Sequence, residues 1–577
     1  MTIAERHSYI ADPAVSISCG PPLSLEPGLG ELTLSGFIRE VTARYGDREA
    51  LVSQRLNGSL ERWSYNTLWE RSLDVAKALT ELGLGKGERV GILMTNRAEF
   101  ITATFGTALA GGVATLLSTF STASELEYML AQSCCCVLLF ERHVAGKDFA
   151  AMLCGIEPAI AAALPGKLAS QKLPFLRHVA MIEGGDKIGA IASWESFIAR
   201  GSDIPQSHID ARAATVTPAD PGGLFFSSGS TGKPKGILSA HRGVAIQCWR
   251  MAPQQGLGQN VRYWTANSFT WSGNFSMALG APLAAGGTLV LQRLFEPEAA
   301  LRLMAAEKVD FLFAWPHQWA QLIDAPNWLE TDLSALRYID IDSSITRHPT
   351  VKTSWIQPHH CYGNTETFTL TTAYPANTTR DVSQGSHGLP LPGNSIKIVE
   401  PLSGAVLPVG ERGEIATKGP TLMLGYLGIP LEQSTDSEGY FRSGDGGYLD
   451  VHGRLFWEGR LNDIIKTGGA NVSPVEVDDI LETCPGVKVT KTVGVPDDLL
   501  GELVVTCIVP QDGVTLSEER VRGFAREKLT SYKVPRRVIF FTEDELETTG
   551  SAKIKTAELR KLAAARIVTE AASRDDL

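Results

Sequence analysis

The segment Ser227–Gly236 combines hydroxyls, glycines and lysines in the order S-S-G-S-T-G-K-P-K-G. Its glycines allow backbone N–H groups to point inward, and its hydroxyls and lysines add donors and positive charge, which suits a triphosphate tail. Pro234 stands where a Walker loop requires glycine, so the segment is not that motif. Alone, the same composition also describes a flexible linker. The candidate phosphate contacts are Ser227, Ser228, Gly229, Ser230, Thr231, Gly232, Lys233 and Lys235.

Four further motifs follow along the chain: Tyr362–Glu366 (YGNTE), Tyr440–Asp445 (YFRSGD), Gly459–Gly469 (GRLNDIIKTGG) and Thr548–Lys555 (TTGSAKIK). Taken singly, each has an ordinary explanation. A Gly-Asp-Gly string is typical of a turn, and a C-terminal lysine is normally a solvated charge. The order and spacing of all five motifs together are more specific.

In that order the motifs closely resemble those of the adenylate-forming superfamily, which comprises acyl- and aryl-CoA synthetases, the adenylation domains of nonribosomal peptide synthetases, and beetle luciferases. The resemblance covers nearly the whole chain, although the first fifty or so residues contribute little. It implies ATP and Mg²⁺ as ligands, an acyl-adenylate as the first product, and coenzyme A as co-substrate.

The resemblance also implies roles at the nucleotide. The ring of Tyr362 packs on adenine, and Asp445 accepts hydrogen bonds from both ribose hydroxyls. Glu366, with Thr231 beside it, holds Mg²⁺ on the phosphates, and oxygen ligands suit that hard cation. Besides the phosphate segment, the implied ATP contacts are Tyr362, Gly363, Asn364, Thr365, Asp445 and Arg460.

Toward the C-terminus, the resemblance implies the parts that serve two half-reactions. Asn462 is the predicted hinge about which a small domain rotates. Gly468 and Gly469 line the tunnel that admits coenzyme A, and Lys553 is the catalytic lysine. Ala552 departs from the family pattern, which usually has glycine before that lysine.

The acid-binding element corresponds to Asn267–Gly273. Amino-acid-activating relatives place Asp near here to pair with the substrate ammonium, whereas this chain has Thr270 and Trp271. A tryptophan-rich stretch is more often plain core. If Trp271 and Trp315 line the acyl pocket, that pocket is apolar and suits an aromatic or bulky alicyclic acid.

A second departure lies at Tyr338–Ser344, where relatives have a glycine-rich strand end beside adenine and substrate. Asp342 and Ser343 are candidate nucleotide contacts. The sequence leaves open whether they read the adenine amino group or a substrate hydroxyl.

The elements around these motifs alternate between helix and strand. A helix is predicted over Thr67–Gly83, with a capping box of Thr67 and Glu70, and a buried strand over Val90–Met94. Helix followed by buried strand predicts a helix-covered parallel sheet. The fold class is therefore α/β: a large N-terminal domain of helix-covered sheets with a small β-barrel-like part, residues 1–459, and a small mobile C-terminal α/β domain, residues 460–577.

Composition limits the possible partners of the protein and its location in the cell. The 577-residue chain has a net charge of −11, which argues against nucleic acid as a main partner. Its N-terminus lacks the features of a secretion signal, and its longest apolar run, from Phe105 to Leu117, is too short to span a membrane. Nine cysteines without a paired spacing favour reduced thiols and a cytoplasmic location.

The sequence thus predicts an ATP-dependent acid–thiol ligase that acts on a small-molecule carboxylic acid. A stand-alone enzyme that loads an acyl-carrier protein is the first alternative, and a catalytically silent nucleotide-binding relative is the second. Neither a monomer nor a homodimer is excluded.

Overall fold

The computed structural model divides into two compact units. The first comprises Met1–His7, Cys19–Ser395 and Thr417–Phe441; the second comprises Ser8–Ser18, Ile396–Ala416 and Arg442–Leu577. The predicted division into residues 1–459 and 460–577 stays a prediction. The structure describes residues 9–10, 14–54, 58–182, 187–228, 234–357, 361–461, 463–467, 470–497, 500–529, 531–546 and 554–575.

The first unit contains two large sheets, with strands numbered along the whole chain. The larger sheet has the spatial order β11 (Ile191–Ser193), β10 (His178–Ile182), β7 (Val137–Glu141), β5 (Arg89–Leu93), β6 (Val113–Leu117), β12 (Pro221–Ser228), β13 (Pro234–Ala240), β21 (Gly425–Tyr426) and β22 (Ile429–Pro430). Strands β11 to β12 run parallel, and β13, β21 and β22 are antiparallel additions.

The smaller sheet has the order β16 (Phe311–Phe313), β14 (Arg262–Thr265), β15 (Thr288–Leu291), β3 (Glu49–Gln54) and β4 (Leu60–Ser64). Its strands are parallel except for β4. Two short antiparallel pairs complete the strands of this unit: β8 (His143–Val144) with β9 (Lys147–Asp148), and β17 (Thr372–Ala373) with β18 (Leu389–Pro390).

The described part of this unit also contains α-helices. They are α1 (Leu34–Tyr45), α2 (Tyr65–Glu81), α3 (Ala98–Leu109), α4 (Ala123–Ser133), α5 (Phe149–Ile156), α6 (Ala159–Ala162), α7 (Trp194–Ala199), α8 (Gln206–Ala214), α9 (His241–Gln254), α10 (Ser272–Asn274), α11 (Ala281–Ala285), α12 (Pro297–Ala306), α13 (Pro316–Ile323) and α14 (Arg380–Ser383). A π-helical turn, Phe275–Gly280, joins α10 to α11.

Two local predictions can be compared with this unit. The buried parallel strand near Val90 is confirmed as β5. The capping box of Thr67 and Glu70 is wrong, because α2 begins at Tyr65. The hydroxyl of Ser64 caps the helix, accepting a hydrogen bond of 3.1 Å from the backbone N–H of Thr67.

The second unit contains a six-stranded and a five-stranded sheet. The first has the order β1 (Tyr9–Ile10), β2 (Ile17–Cys19), β19 (Ser395–Val399), β20 (Gly413–Lys418), β23 (Phe441–Leu449) and β24 (Leu455–Arg460). The other has the order β26 (Ala470–Val472), β25 (Ile465–Thr467), β28 (Gly501–Pro510) and β27 (Val487–Asp497), with β29 (Arg537–Phe540) also paired to β28. Its helices are α15 (Pro474–Glu482), α16 (Glu518–Lys528) and α17 (Thr556–Asp575).

These sheets confirm the predicted α/β class, with helix-covered sheets, a small separate β part and a C-terminal α/β part. Helix α15 begins with Pro474, and the Ser473 hydroxyl caps it by accepting the backbone N–H of Glu476 at 3.3 Å. In the described ranges, no helix is long and apolar enough to cross a membrane.

Candidate active site

The two ends of the phosphate segment are paired arms of a β-hairpin. In the β12–β13 pair, Ser227 lies opposite Lys235 and Ser228 opposite Pro234. Pro234 is the first residue of its strand, a position that tolerates the missing N–H of proline. A strand therefore follows the segment, whereas a helix follows a Walker loop. Five predicted contacts lie outside the described residues: Gly229, Ser230, Thr231, Gly232 and Lys233.

Lys235 and Glu366, from two separate motifs, meet at Tyr426. The Tyr426 hydroxyl donates a hydrogen bond of 2.8 Å to Oε1 of Glu366. The Lys235 ammonium lies 5.3 Å from the centre of the same ring. Backbone pairing supports the contact, because Ile237 of β13 lies opposite Tyr426 of β21, and the N–H of Met423 donates to the Glu366 carbonyl at 2.7 Å.

The Glu366 side chain fits the predicted role of a cation ligand. It is half-buried, and its second oxygen, Oε2, has no hydrogen bond to any described residue. The described residues also contain no cluster of three or more His, Cys, Asp or Glu groups that could hold a metal. A metal at Glu366 would therefore complete its ligand set from substrate phosphates, as Mg²⁺ characteristically does. The predicted second ligand, Thr231, lies outside the described residues.

The turn that carries Glu366 requires a glycine. Tyr362 is buried, and its backbone pairs with that of Thr372. At Gly363 a Cβ atom would lie 1.7 Å from the carbonyl oxygen of Thr369. Only glycine allows the two backbone segments to approach this closely.

Two residues after this turn have unusual backbone conformations. Asn364 Oδ1 accepts the N–H of Thr367 at 2.9 Å, and the Thr365 carbonyl accepts the N–H of Phe368 at 3.1 Å. Phe368 and Thr369 then adopt φ values of 46° and 90°. This region is costly for side chains other than glycine, and most costly for bulky and β-branched ones.

Aromatic packing stabilises the Phe368 conformation. Its ring centre lies 5.0 Å from that of Phe225 and 6.2 Å from that of Phe275, and the latter two are 5.8 Å apart. Phe225 belongs to β12, which leads into the phosphate segment, and Phe275 begins the π-helical turn. The aromatic trio thus joins the phosphate strand, the Glu366 turn and the π-helical turn that begins two residues after the predicted acyl segment Asn267–Gly273.

The Thr369 hydroxyl makes a second connection between the Glu366 turn and the acyl segment. Its Oγ1 donates to the Ser272 carbonyl at 3.0 Å and lies 2.8 Å from Oγ of Ser276. Ser276 is in the π-helical turn, a rare structure that is frequent at functional sites. Neither contact has a local sequence signal.

The tryptophans divide between core and candidate pocket. Trp249 and Trp264 are 3% and 0% exposed and belong to hydrophobic cores, so the plain-core interpretation holds for both. Trp271 is half-buried, and Trp315 is 38% exposed. The assignment of Trp271 and Trp315 to the acyl pocket stays a prediction.

An amide network fixes the start of the acyl segment. Asn96 donates from Nδ2 to the Asn267 carbonyl at 2.7 Å and accepts the N–H of Phe269 at 2.9 Å. Asn274 donates to the same carbonyl at 2.6 Å and accepts from the Thr265 hydroxyl at 2.9 Å. Sequence reasoning missed Asn96, because it lies far away in the chain.

Asp342 and Ser343 occupy a turn that a neighbouring aspartate shapes. The Asp340 side chain is buried and accepts the backbone N–H groups of Asp342 and Gln357 at 2.9 and 2.7 Å. The Asp342 side chain is 60% exposed and forms an ion pair with Arg380. Ser343 is buried and caps a short 3₁₀ helix. Their roles at adenine or substrate stay predictions, and Asp340 is the residue that fixes their backbone.

In the second unit, Asp445 and Arg460 lie opposite each other on β23 and β24. Arg460 Nε is 3.0 Å from Asp445 Oδ1, and Arg460 also donates to the Ser443 carbonyl at 2.8 Å. Gly444, between Ser443 and Asp445 in the chain, has φ 72°, which favours glycine. The structure thus pairs two of the residues predicted to contact the nucleotide.

The predicted hinge and tunnel residues lie outside the described residues, but their neighbours are described. The predicted hinge, Asn462, lies outside the described residues. Directly after it, the N–H of Asp463 donates to the Arg460 carbonyl at 2.9 Å. Gly468 and Gly469 also lie outside the described residues, between β25 and β26, whose end residues 467 and 470 are paired.

Lys553 also lies outside the described residues. The next residue, Ile554, packs against the hydrophobic core formed by β27, β28, β29 and α17. The Lys555 carbonyl accepts the N–H of Leu559 at 3.0 Å in the first turn of α17. The chain is therefore anchored directly after the predicted catalytic lysine.

Two thiols near these elements stay protonated at neutral pH. Burial raises the pKa of Cys361, next to Tyr362, to about 11. Burial also raises the pKa of Cys248, on α9, well above its usual range. Neither is suited to act as a nucleophile, which requires the thiolate.

Comparisons with known proteins give matches along most of the chain. A family model described as AMP-binding enzyme matches residues 38–427, and one described as AMP-binding enzyme C-terminal domain matches residues 476–553. The 3-(7a-methyl-1,5-dioxo-octahydro-1H-inden-4-yl)propanoyl:CoA ligase of Rhodococcus jostii (strain RHA1) is 29% identical over 511 residues, covering 87% of this chain and 94% of its own. Acyl-CoA ligase SID4 of Ajellomyces capsulatus is 28% identical, covering 93% and 92%.

Among solved structures, the anthranilate CoA ligase AuaEII in complex with anthranoyl-AMP matches this fold with a TM-score of 0.75 and 24% identity, covering 95% of this chain and 99% of its own. The first family model includes Lys235 and Glu366, and the second ends at Lys553.

Proposed function

The chain belongs to the AMP-binding enzyme family, and from this membership we propose that it is an AMP-forming acyl-CoA ligase for a hydrophobic, aromatic or alicyclic acid. The observation that carries the proposal is the meeting of Lys235 and Glu366 at Tyr426. It brings a cation from the phosphate segment and a carboxylate suited to Mg²⁺ to one place, as binding of ATP requires.

In the first half-reaction a carboxylate oxygen of the acid attacks the α-phosphorus of ATP. The bond from that phosphorus to the bridging oxygen breaks, and pyrophosphate leaves with the electron pair. The Lys553 ammonium contacts both anions and offsets their repulsion, while Lys235 and Ser228 hold the phosphate tail. Mg²⁺ held by Glu366 and Thr231 would neutralise charge on the phosphates.

In the second half-reaction the thiol of coenzyme A attacks the carbonyl carbon of the adenylate. The thiol gives up its proton, the bond between carbonyl carbon and phosphate oxygen breaks, and AMP leaves. The part of the chain after Asn462 rotates between the steps, withdrawing Lys553 and presenting Gly468 and Gly469 to the thiol. One site thus serves both reactions through a domain rearrangement.

Three features support an apolar acid. Trp271 is half-buried and Trp315 is 38% exposed, so part of each ring is available to a ligand. No carboxylate stands at Thr270 or Trp271 to pair with a substrate ammonium. The names of the similar proteins include an anthranilate and an indenyl-propanoyl CoA ligase, both of which act on bulky cyclic acids.

A panel of acids tests the proposal, with pyrophosphate release measured first without coenzyme A. The matched pair is 3-phenylpropanoate and phenylalanine, which differ only in the α-ammonium. Because burial of an unpaired ammonium is costly, we expect about 100-fold or greater preference for 3-phenylpropanoate. Activation of a proteinogenic amino acid but of no apolar acid would refute the proposed substrate class.

The acceptor is tested with the best acid of the panel. Mass spectrometry should show an acyl-CoA thioester when coenzyme A is supplied. A mass gain on an acyl-carrier protein, with coenzyme A left unconsumed, would instead identify the alternative acceptor. Absence of pyrophosphate release with every acid would favour a nucleotide-binding protein without ligase activity.

A further inference from the structure

The segment Met423–Leu427 contacts both the phosphate hairpin and the turn that carries Glu366. Its β21 strand pairs with β13, and the N–H of Leu427 donates to the Gly236 carbonyl at 2.8 Å. At the other end, the N–H of Met423 donates to the Glu366 carbonyl at 2.7 Å. Tyr426 lies between these two contacts, so the backbone that carries its side chain is held in place on both sides.

Tyr426 is a neutral donor to a carboxylate that has a cationic neighbour. Its hydroxyl donates to Glu366 Oε1 at 2.8 Å, while the Lys235 ammonium lies over its ring at 5.3 Å. A direct Lys235–Glu366 ion pair would orient the carboxylate but cancel its charge. A phenol orients it by one hydrogen bond and leaves the full negative charge available to a cation.

We propose that Tyr426 is a positioning residue for the metal-bound form of ATP. Its hydroxyl holds Oε1 of Glu366, which turns the second oxygen, Oε2, toward the metal that accompanies the nucleotide. The inference rests on the proposed function, in which Glu366 is a metal ligand. It does not depend on which acid or acceptor the enzyme uses.

The test measures ATP affinity with Mg²⁺ and again with EDTA, in the absence of acid and coenzyme A. The ratio of the two dissociation constants is the gain in affinity due to the metal. Tyr426→Phe keeps the ring and removes the hydroxyl. We expect it to reduce this gain about tenfold, the size of one hydrogen bond to a charged group, and to leave affinity in EDTA within about twofold.

Tyr45→Phe is the matched control. Tyr45 is also half-buried, its hydroxyl donates to the Ala284 carbonyl at 2.9 Å, and the Arg48 guanidinium lies over its ring at 5.7 Å. Tyr45→Phe therefore also removes a hydroxyl from a ring beside a cation, but that hydroxyl has a carbonyl and not a carboxylate as its partner. We expect Tyr45→Phe to leave both affinities unchanged.

Glu366→Gln and the Tyr426→Phe/Glu366→Gln double variant complete the cycle. If Tyr426 acts through Glu366, the double variant loses no more of the metal gain than Glu366→Gln alone. Equal loss of affinity with Mg²⁺ and with EDTA would show that Tyr426 merely shapes the hairpin and would overturn the inference. A Glu366→Gln variant with the wild-type metal gain would refute the metal role of Glu366, and this inference with it.

Discussion

Replacement of Gly363 by alanine tests whether the Glu366 turn has the geometry on which catalysis depends. The new Cβ would lie 1.7 Å from the Thr369 carbonyl oxygen, and contacts below 3.0 Å essentially never occur, so the turn must shift by at least 1.3 Å (3.0 minus 1.7). The Thr369 backbone cannot yield easily, because its N–H donates to the Asn364 carbonyl at 3.0 Å and its hydroxyl contacts the acyl segment. Since a 1 Å misplacement of reacting groups costs roughly 100-fold in rate, we expect about that loss in pyrophosphate release. Overpacking should also lower the free energy of unfolding by about 1–3 kcal/mol.

Two alanine variants separate the catalytic loss from simple destabilisation. Gly201→Ala places a Cβ 2.6 Å from the backbone nitrogen of Ala78, so it should lose comparable stability but keep the rate per folded molecule. Gly155→Ala meets nothing within 4 Å on the exposed face of α5 and should gain about 0.5–1 kcal/mol. If Gly363→Ala matches Gly201→Ala in rate per folded molecule, the turn does not set the catalytic geometry and our reasoning is wrong.

Three further predictions concern the other parts of the site. Lys553→Ala should raise the activation free energy of adenylate formation by about 3–4 kcal/mol, which slows that step several hundredfold. The variant should still convert prepared acyl-adenylate to thioester, and Lys555→Ala should be tolerated. The reverse result would mean that the motif is misaligned by two residues. Asn462→Pro should impair thioester formation much more than adenylation in single-turnover assays, because a pivot must change φ and proline fixes it; equal loss of both steps would place the pivot elsewhere. Gly273→Ala adds a methyl group into open space beside Trp271 and should raise KM for a bulky acid several-fold with ATP affinity unchanged; no change for any acid would place the pocket away from α10.

The fold class was predictable because the signals of its helices and strands are local. A buried apolar run such as β5 and a Ser-Pro helix start such as Ser473-Pro474 depend on residues within one turn of each other. The α2 prediction failed because two local signals compete: Thr67 and Glu70 suggest a cap, but Ser64, three residues before Thr67, supplies it.

The contacts that assemble the site were not predictable, because they join distant residues. Tyr426 lies 60 residues from Glu366, and Ser276 lies 93 residues from Thr369. Asp340 could not be preferred over Asp342 from sequence, since both are aspartates on the same short segment. Only the structure shows that the Asp340 carboxylate is buried and that of Asp342 exposed.

The strained pair Phe368–Thr369 suggests how the two substrates are linked. Glycine would adopt these backbone angles at little cost, whereas each of these side chains costs of order 1–3 kcal/mol there. The contacts that offset the cost all lead to other parts of the site: the Phe368 ring packs on Phe225 and Phe275, and the Thr369 hydroxyl bonds to Ser272. A change in the acyl segment therefore changes the support of the turn that carries Glu366. Discrimination between acids should consequently appear in the rate of adenylation as well as in the affinity for the acid, because an ill-fitting acid that displaces the segment also displaces the turn.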